Sequence, residues 1–331
     1  MAKQLSDTVT SDIFGDDQNA KPRFIKPRER INPIFLRQII DENRFKAFCN
    51  ALENFITELN DGTGQFEAYY QSQIQNFLNA IGYAGKHNVS SIGRTDLAIH
   101  QGTSIKTSPI AAIIEVKRPA NVEEMCTEDN LNVKALQEAL AYSFREILEK
   151  NNPELQTLIV TDGWEWFIFS AKDLWSGLTN VANIKRNKYV RFYERFTRKE
   201  LIDNSTAFLY SKVMKPAIDD LIKMQLLECC HFSLKKFVDP KTQKLIVKKS
   251  LQDIYRVLAP ETLISKETRN DSNILNKGFY NELLYIMGLE EVKKKVDGQE
   301  KKIIQRIGAS KRQYHSLLES AMRLASYSFP G

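Results

Sequence analysis

The sequence predicts an α/β fold, a mixed sheet flanked by helices, followed by a mostly helical region. Three observations point to it. Residues 110–116 form an apolar, β-branched run closed by Pro119, the pattern of a buried strand. Residues 156–161 and 164–170 are two further apolar runs, joined by Asp162-Gly163, a tight-turn dipeptide. Helix-period stripes precede and separate these strands.

The elements follow in order. Residues 1–20 are polar and acidic without periodicity, and disorder is expected there. Residues 21–30 form a basic, proline-marked arm, which the prolines make extended. Such an arm either lies along a phosphate backbone or packs with its charges in water. Residues 31–60 read as helix, with Phe45, Phe48, Leu52, Phe55, Ile56 and Leu59 on one stripe, stopped by Asp61-Gly62-Thr63-Gly64. Residues 67–81 read as a second helix, with Phe66 just before it joining Tyr70, Ile74, Phe77, Leu78 and Ile81 on one stripe. Two or three strands run up to Lys117, and residues 131–150 form another amphipathic helix. The order is α-β-β-β-α-β-β, and connections this short favour one compact sheet. The boundaries are an arm over 1–30, the sheet domain over 31–180 and a helical region over 181–331. Residues 185–196 interleave cations with aromatics, either to stack bases or as an amphipathic segment with its aromatics in the core.

The chain has 331 residues and a net charge of +6, a mild excess compatible with a polyanionic partner. No apolar run is long enough to span a bilayer and no signal peptide is evident, so a cytoplasmic protein with no membrane contact is expected. Cys49, Cys126, Cys229 and Cys230 lack metal-site spacing and read as free thiols.

The chemistry concentrates at Asp96, Glu115 and Lys117. Residues i and i+2 of a strand share a face, so Glu115 and Lys117 project together while Val116 turns to the core. Asp96 joins them if its strand is a neighbour. Two carboxylates reaching one point bind a hard divalent cation, and a lysine beside it can position or activate water for phosphodiester hydrolysis. A decoy occurs later, where Asp271 precedes Glu291-Val292-Lys293. Leu283, Leu284, Ile286, Met287, Leu289 and Val292 give it helical spacing, and on a helix positions i and i+2 diverge.

Asp96 with Glu115-Val116-Lys117 resembles the PD-(D/E)xK nuclease superfamily, with Thr95 where the name has proline. The resemblance implies a restriction-endonuclease-like sheet, Mg²⁺ (with Mn²⁺ as a substitute) on Asp96, Glu115 and the Val116 carbonyl, and Lys117 at the attacking water. It implies supporting roles for Glu67 on the first core helix and for Gln137 in Gln137-Glu138-Ala139-Leu140-Ala141-Tyr142. Arg94 and Arg118 beside the motif, with Lys21 and Arg23 in the arm, are the candidate contacts to double-stranded DNA.

A wider resemblance runs from about Lys21 onward. Lys21-Pro22-Arg23, Ile31-Asn32-Pro33-Ile34-Phe35, residues 271–289 and Ser316-Leu317-Leu318-Glu319 are similar to the N-terminal part of type IIG restriction-modification enzymes. There a nuclease leads through a helical connector into an adenine methyltransferase and a recognition domain. No glycine-rich S-adenosylmethionine loop or Asn-Pro-Pro-Tyr motif is present. The expectation is therefore a truncated or split member, with S-adenosylmethionine relevant only through the missing part. A separate methyltransferase or specificity subunit and a transient homodimer are the expected protein partners. The alternative is a catalytically silent module that docks on such a subunit.

Overall fold

The computed structural model describes residues 20–92, 95–180, 188–201, 203, 205–265, 277–296 and 299–308. The chain divides into two units, Met1–Ile31 with Ile40–Lys266, and Asn32–Ile39 with Glu267–Gly331. The strands are β1 (Arg23–Ile25), β2 (Val89–Ile92), β3 (Thr95–His100), β4 (Ile110–Val116), β5 (Thr157–Thr161), β6 (Glu165–Ser170), β7 (Glu228–Ser233), β8 (Leu289–Val296) and β9 (Gln299–Arg306). The helices are α1 (Pro27–Arg30), α2 (Pro33–Arg37), α3 (Glu42–Asp61), α4 (Glu67–Leu78), α5 (Lys134–Phe144), α6 (Ala171–Asn180), α7 (Lys188–Thr197), α8 (Thr206–Leu209), α9 (Lys215–Lys223), α10 (Leu251–Val257), α11 (Pro260–Leu263) and α12 (Lys277–Met287).

In the first unit seven strands form one mixed sheet, in the order β1-β7-β6-β5-β4-β3-β2. Every residue of β4 is buried, which is why it reads as a continuous apolar run rather than an alternation. It pairs antiparallel with β3 and parallel with β5. A parallel pair needs a crossover, and α5 supplies it, packing on both β4 and β5. A π turn over Arg145–Glu149 extends α5, and its buried positions include Leu136, Ala139, Leu140 and Phe144. α4 packs against β2, β3 and β4, and against α3, where Phe55 and Phe77 stack at 4.6 Å between ring centres. The expected α3 stripe is buried from Phe48 to Leu59. Phe66 is 80% exposed, because it precedes α4 rather than lying on its stripe.

The sheet extends past the 31–180 span at both ends of the chain. β1, from the arm, pairs parallel with β7, so the arm is extended over Arg23–Ile25, but Pro27–Arg30 form helix α1, where Pro27 opens the helix rather than extending the chain. β7 comes from the stretch expected to be helical and pairs antiparallel with β6. Its Glu-Cys-Cys-His-Phe-Ser sequence is too polar and too short to announce a strand, yet Cys229, Cys230 and Phe232 are buried. The cation–aromatic segment forms α7. Tyr189 and Tyr193 are buried, and their hydroxyls bond Asp220 and Glu149, so this segment packs with its arginines outward.

In the second unit α12 ends at Gly288, whose φ of 78° is the left-handed conformation that stops a helix. An antiparallel hairpin of β8 and β9 follows. This corrects the helical reading of Glu291-Val292-Lys293, which lies on β8. The helical spacing runs across Gly288 and so spans two elements, α12 and β8. The expected disorder over residues 1–19, Arg94 and Asp271 lie outside the described residues.

Candidate functional site

β4 delivers Glu115 and Lys117 at the end of the sheet. Val116 is fully buried on the opposite face, while Glu115 is 2% and Lys117 4% exposed. The Lys117 backbone N–H donates to the Thr161 carbonyl at 2.9 Å and so extends the β4–β5 ladder by one rung. The Lys117 ammonium donates to Glu115 Oε1 at 2.7 Å and to Glu138 Oε2, on α5, at 2.7 Å. Burial opposes the ammonium charge, but Glu115 and then Glu138 outweigh it, and the Lys117 pKa is raised. Two carboxylates share one ammonium in a nearly dry place, which leaves a surplus negative charge and favours a further cation.

Asp96 lies on β3. The register pairs Leu97 with Ile114, and one step along it sets the Asp96 backbone opposite Glu115. Its side chain is outside the described residues. Glu67 opens α4 and is half-buried. Arg118 is exposed, directly after Lys117. Gln137 is not brought to Lys117. It is 9% exposed and donates to Asn132 Oδ1 at 3.0 Å, bracing the approach to α5. Its neighbour Glu138 makes the contact instead. The signal for Glu138 is a polar pair, Gln137-Glu138, set between apolar Leu136 and Ala139 on a helix with an apolar face. Tyr210 was also missed. It opens the π turn Tyr210–Met214, which packs on α5, and its phenol pKa is raised, by burial first and then by the charges of Glu138 and Glu115.

Lys21 and Arg23 lie elsewhere. Arg23 pairs with Glu228 at 3.2 Å, at the start of β7, and β1 is four strands from β4, about 19 Å at ordinary strand spacing.

The loop after β4 is held at several points. Glu124 accepts from Lys134 at 2.7 Å and from Asn121 at 3.0 Å. His231 on β7 meets Glu128 of this loop at 2.8 Å and Glu165 of β6 at 3.0 Å, and Ser233 donates to Glu165 at 2.7 Å. Glu115, Val160, Phe167 and His231 are register partners in one row across the sheet. His231 stacks on Phe167 at 4.3 Å, so it serves as a strap from sheet to loop. Cys230 alternates to the other face, which argues against a joint metal site.

Among the described residues no group of three or more His, Cys, Asp or Glu side chains could hold a metal ion. Glu115 contributes a carboxylate, the donor type of Mg²⁺ sites, which commonly take one or two carboxylates plus water and substrate phosphate.

Residues 25–271 match the family described as a domain of unknown function, DUF7149. The chain belongs to the DUF7149 family. Residues 272–328 match a second domain of unknown function, DUF7814, and this division falls close to the boundary between the two structural units. No curated protein and no solved structure matches the chain. Among the described residues no helix is long and apolar enough to cross a membrane.

Proposed function

We propose that this chain is a metal-dependent DNA endonuclease module that hydrolyses phosphodiester bonds. The supporting observation is the buried Glu115–Lys117–Glu138 cluster at the end of β4. Asp96, Glu115 and the Val116 carbonyl would hold Mg²⁺ or Mn²⁺, which when bound neutralises charge on the scissile phosphate and favours ionisation of a water. Two of the three Lys117 ammonium donors go to Glu115 and Glu138, and the third would orient the attacking water. Glu138 holds the Lys117 ammonium in place from α5. Arg118 is exposed where it can meet a flanking phosphate. Water attacks phosphorus and the bond to the 3′ oxygen breaks, which leaves a 5′-phosphate and a 3′-hydroxyl.

The test is conversion of supercoiled plasmid to nicked or linear DNA by the purified chain. Cleavage with Mg²⁺ or Mn²⁺, abolished by EDTA, is the expected result. Intact plasmid after long incubation of folded protein with either metal would remove the reading. A second reading, docking on a methyltransferase subunit without catalysis, is favoured by the half-exposed Leu283, Ile286 and Met287 on α12. It predicts no cleavage alone and a stable complex with that subunit in sedimentation.

A further inference from the structure

We propose that residues 234–249 form a basic flap that grips the sugar–phosphate backbone of duplex DNA beside the Glu115–Lys117 site. The segment holds Lys235, Lys236, Lys241, Lys244, Lys248 and Lys249, all exposed, against a single acid, Asp239. That is most of the net charge of the whole chain, +6, in one short projection. Asp239 stays ionised, its carboxylate accepting from the Lys241 and Thr242 backbone N–H groups at 2.8 and 3.0 Å, and offsets one of the six lysine charges.

The flap is built rather than loose. Leu234 and Phe237 are buried and anchor it to the core. Val238 and Leu245 form an antiparallel bridge. Asp239 N–H donates to the Lys244 carbonyl at 2.9 Å and Ile246 N–H to Phe237 at 2.7 Å. Lys248 donates to the Lys236 carbonyl at 2.8 Å. A preformed scaffold spends less ordering entropy when its lysines meet a ligand.

Topology chooses the ligand. β7 is antiparallel to β6, β6 to β5, and β5 is parallel to β4, so β4, β5 and β7 all end at the same edge of the unit. Lys117 leaves β4 there and the flap leaves β7 there, three strands away, about 14 Å. Leu234 N–H donates to the Trp164 carbonyl at 2.8 Å, and the Lys235 charge acts on Asp162 and Glu165 at the β5–β6 turn. Duplex DNA carries roughly one negative charge per 1.7 Å of axis, so a duplex seated at Lys117 presents a run of phosphates at this distance. The inference rests on the DNA reading of that site for its choice of polyanion.

The test is binding of the full chain to a fluorescein-labelled duplex in EDTA, where cleavage cannot intervene, between 50 and 200 mM salt. A flap variant carries Lys241→Gln, Lys244→Gln and Lys249→Gln. A control carries Lys46→Gln, Lys172→Gln and Lys223→Gln, which removes the same charge from exposed sites on α3, α6 and α9. The flap variant is expected to bind at least tenfold more weakly at low salt. Its log–log salt slope should be shallower by about 2 to 3, near 0.9 per lost phosphate contact. The control should stay within about twofold of wild type. Equal behaviour of flap variant and control overturns the proposal. So does a wild-type chain that ignores the duplex but binds phosphatidylserine vesicles through the same lysines. Flap-dependent binding without plasmid cleavage removes the nuclease reading and leaves the flap standing.

Discussion

Glu-x-Lys occurs at the end of β4 and again on β8 and β9, and the surroundings of the β4 and β8 copies separate those two. On β4 the pair is sealed between β3, β5 and α5, and Lys117 is shared with Glu138. On β8 the same letters sit in a two-stranded hairpin, where Glu291 is exposed. Both lie on strands, so strand period does not distinguish them. Burial is what differs. A buried cluster of unlike charges is costly unless something repays it, whereas an exposed carboxylate such as Glu291 carries little desolvation cost. That contrast is what supports the β4 pair, rather than the β8 pair, as the proposed site.

The comparison can be broken most severely at the acids. Glu115→Ala should lower metal-dependent plasmid nicking by about 100- to 1000-fold, the usual worth of one positioned electrostatic group. Glu291→Ala should leave nicking within about twofold. Equal losses would end the distinction. Nicking rates also separate two neighbours on α5. Glu138→Gln should slow cleavage about tenfold or more by loosening Lys117, while Gln137→Ala, which loses a contact to Asn132, should slow it less. The reverse order would restore Gln137 to the site.

Stability gives a second contrast. Lys117→Ala leaves Glu115 and Glu138 buried without their shared cation and should cost about 3 kcal/mol in urea unfolding. Glu291→Ala should fall within about 0.5 kcal/mol of wild type. Glycines with positive φ sharpen the same point. Gly163 has φ 89°, and a Cβ there would sit 2.7 Å from Leu59 Cδ2. Gly163→Ala should cost about 2 to 3 kcal/mol, strain plus a core clash. Gly288→Ala, with φ 78°, should cost about 1 kcal/mol. A larger loss at Gly288 would show that the hairpin junction is the tighter place.

The smallest effect concerns acid. Burial raises the Glu165 pKa, but hydrogen bonds from His231 and Ser233 reverse this and leave it lowered. A carboxylate with a lowered folded pKa contributes stability above its unfolded pKa, near 4.3, and loses it as pH falls through the folded value. Ser233→Ala should therefore flatten the fall of melting temperature below about pH 4. An unchanged profile would remove Glu165 from acid stability.

Sequence patterns carried the centre of the fold and lost its edges. β4, β5 and β6 were legible because long apolar runs and Asp162-Gly163 leave few alternatives. β1 has three residues within a proline-marked arm, and β7 begins with glutamate and cysteines, so neither has a period to detect. Both become strands by pairing with partners far along the chain, a tertiary effect that local propensity does not contain. At the site, the face shared by Glu115 and Lys117 followed from strand geometry. Glu138 did not, because which turn of α5 meets Lys117 depends on the crossover packing rather than on spacing.

The most direct measurement is metal-dependent nicking of supercoiled plasmid by wild type and Lys117→Ala, side by side, with folding checked by circular dichroism. The account predicts nicking by wild type in Mg²⁺ or Mn²⁺ and at least a hundredfold loss in the variant. Equal nicking by a folded Lys117→Ala protein would contradict it.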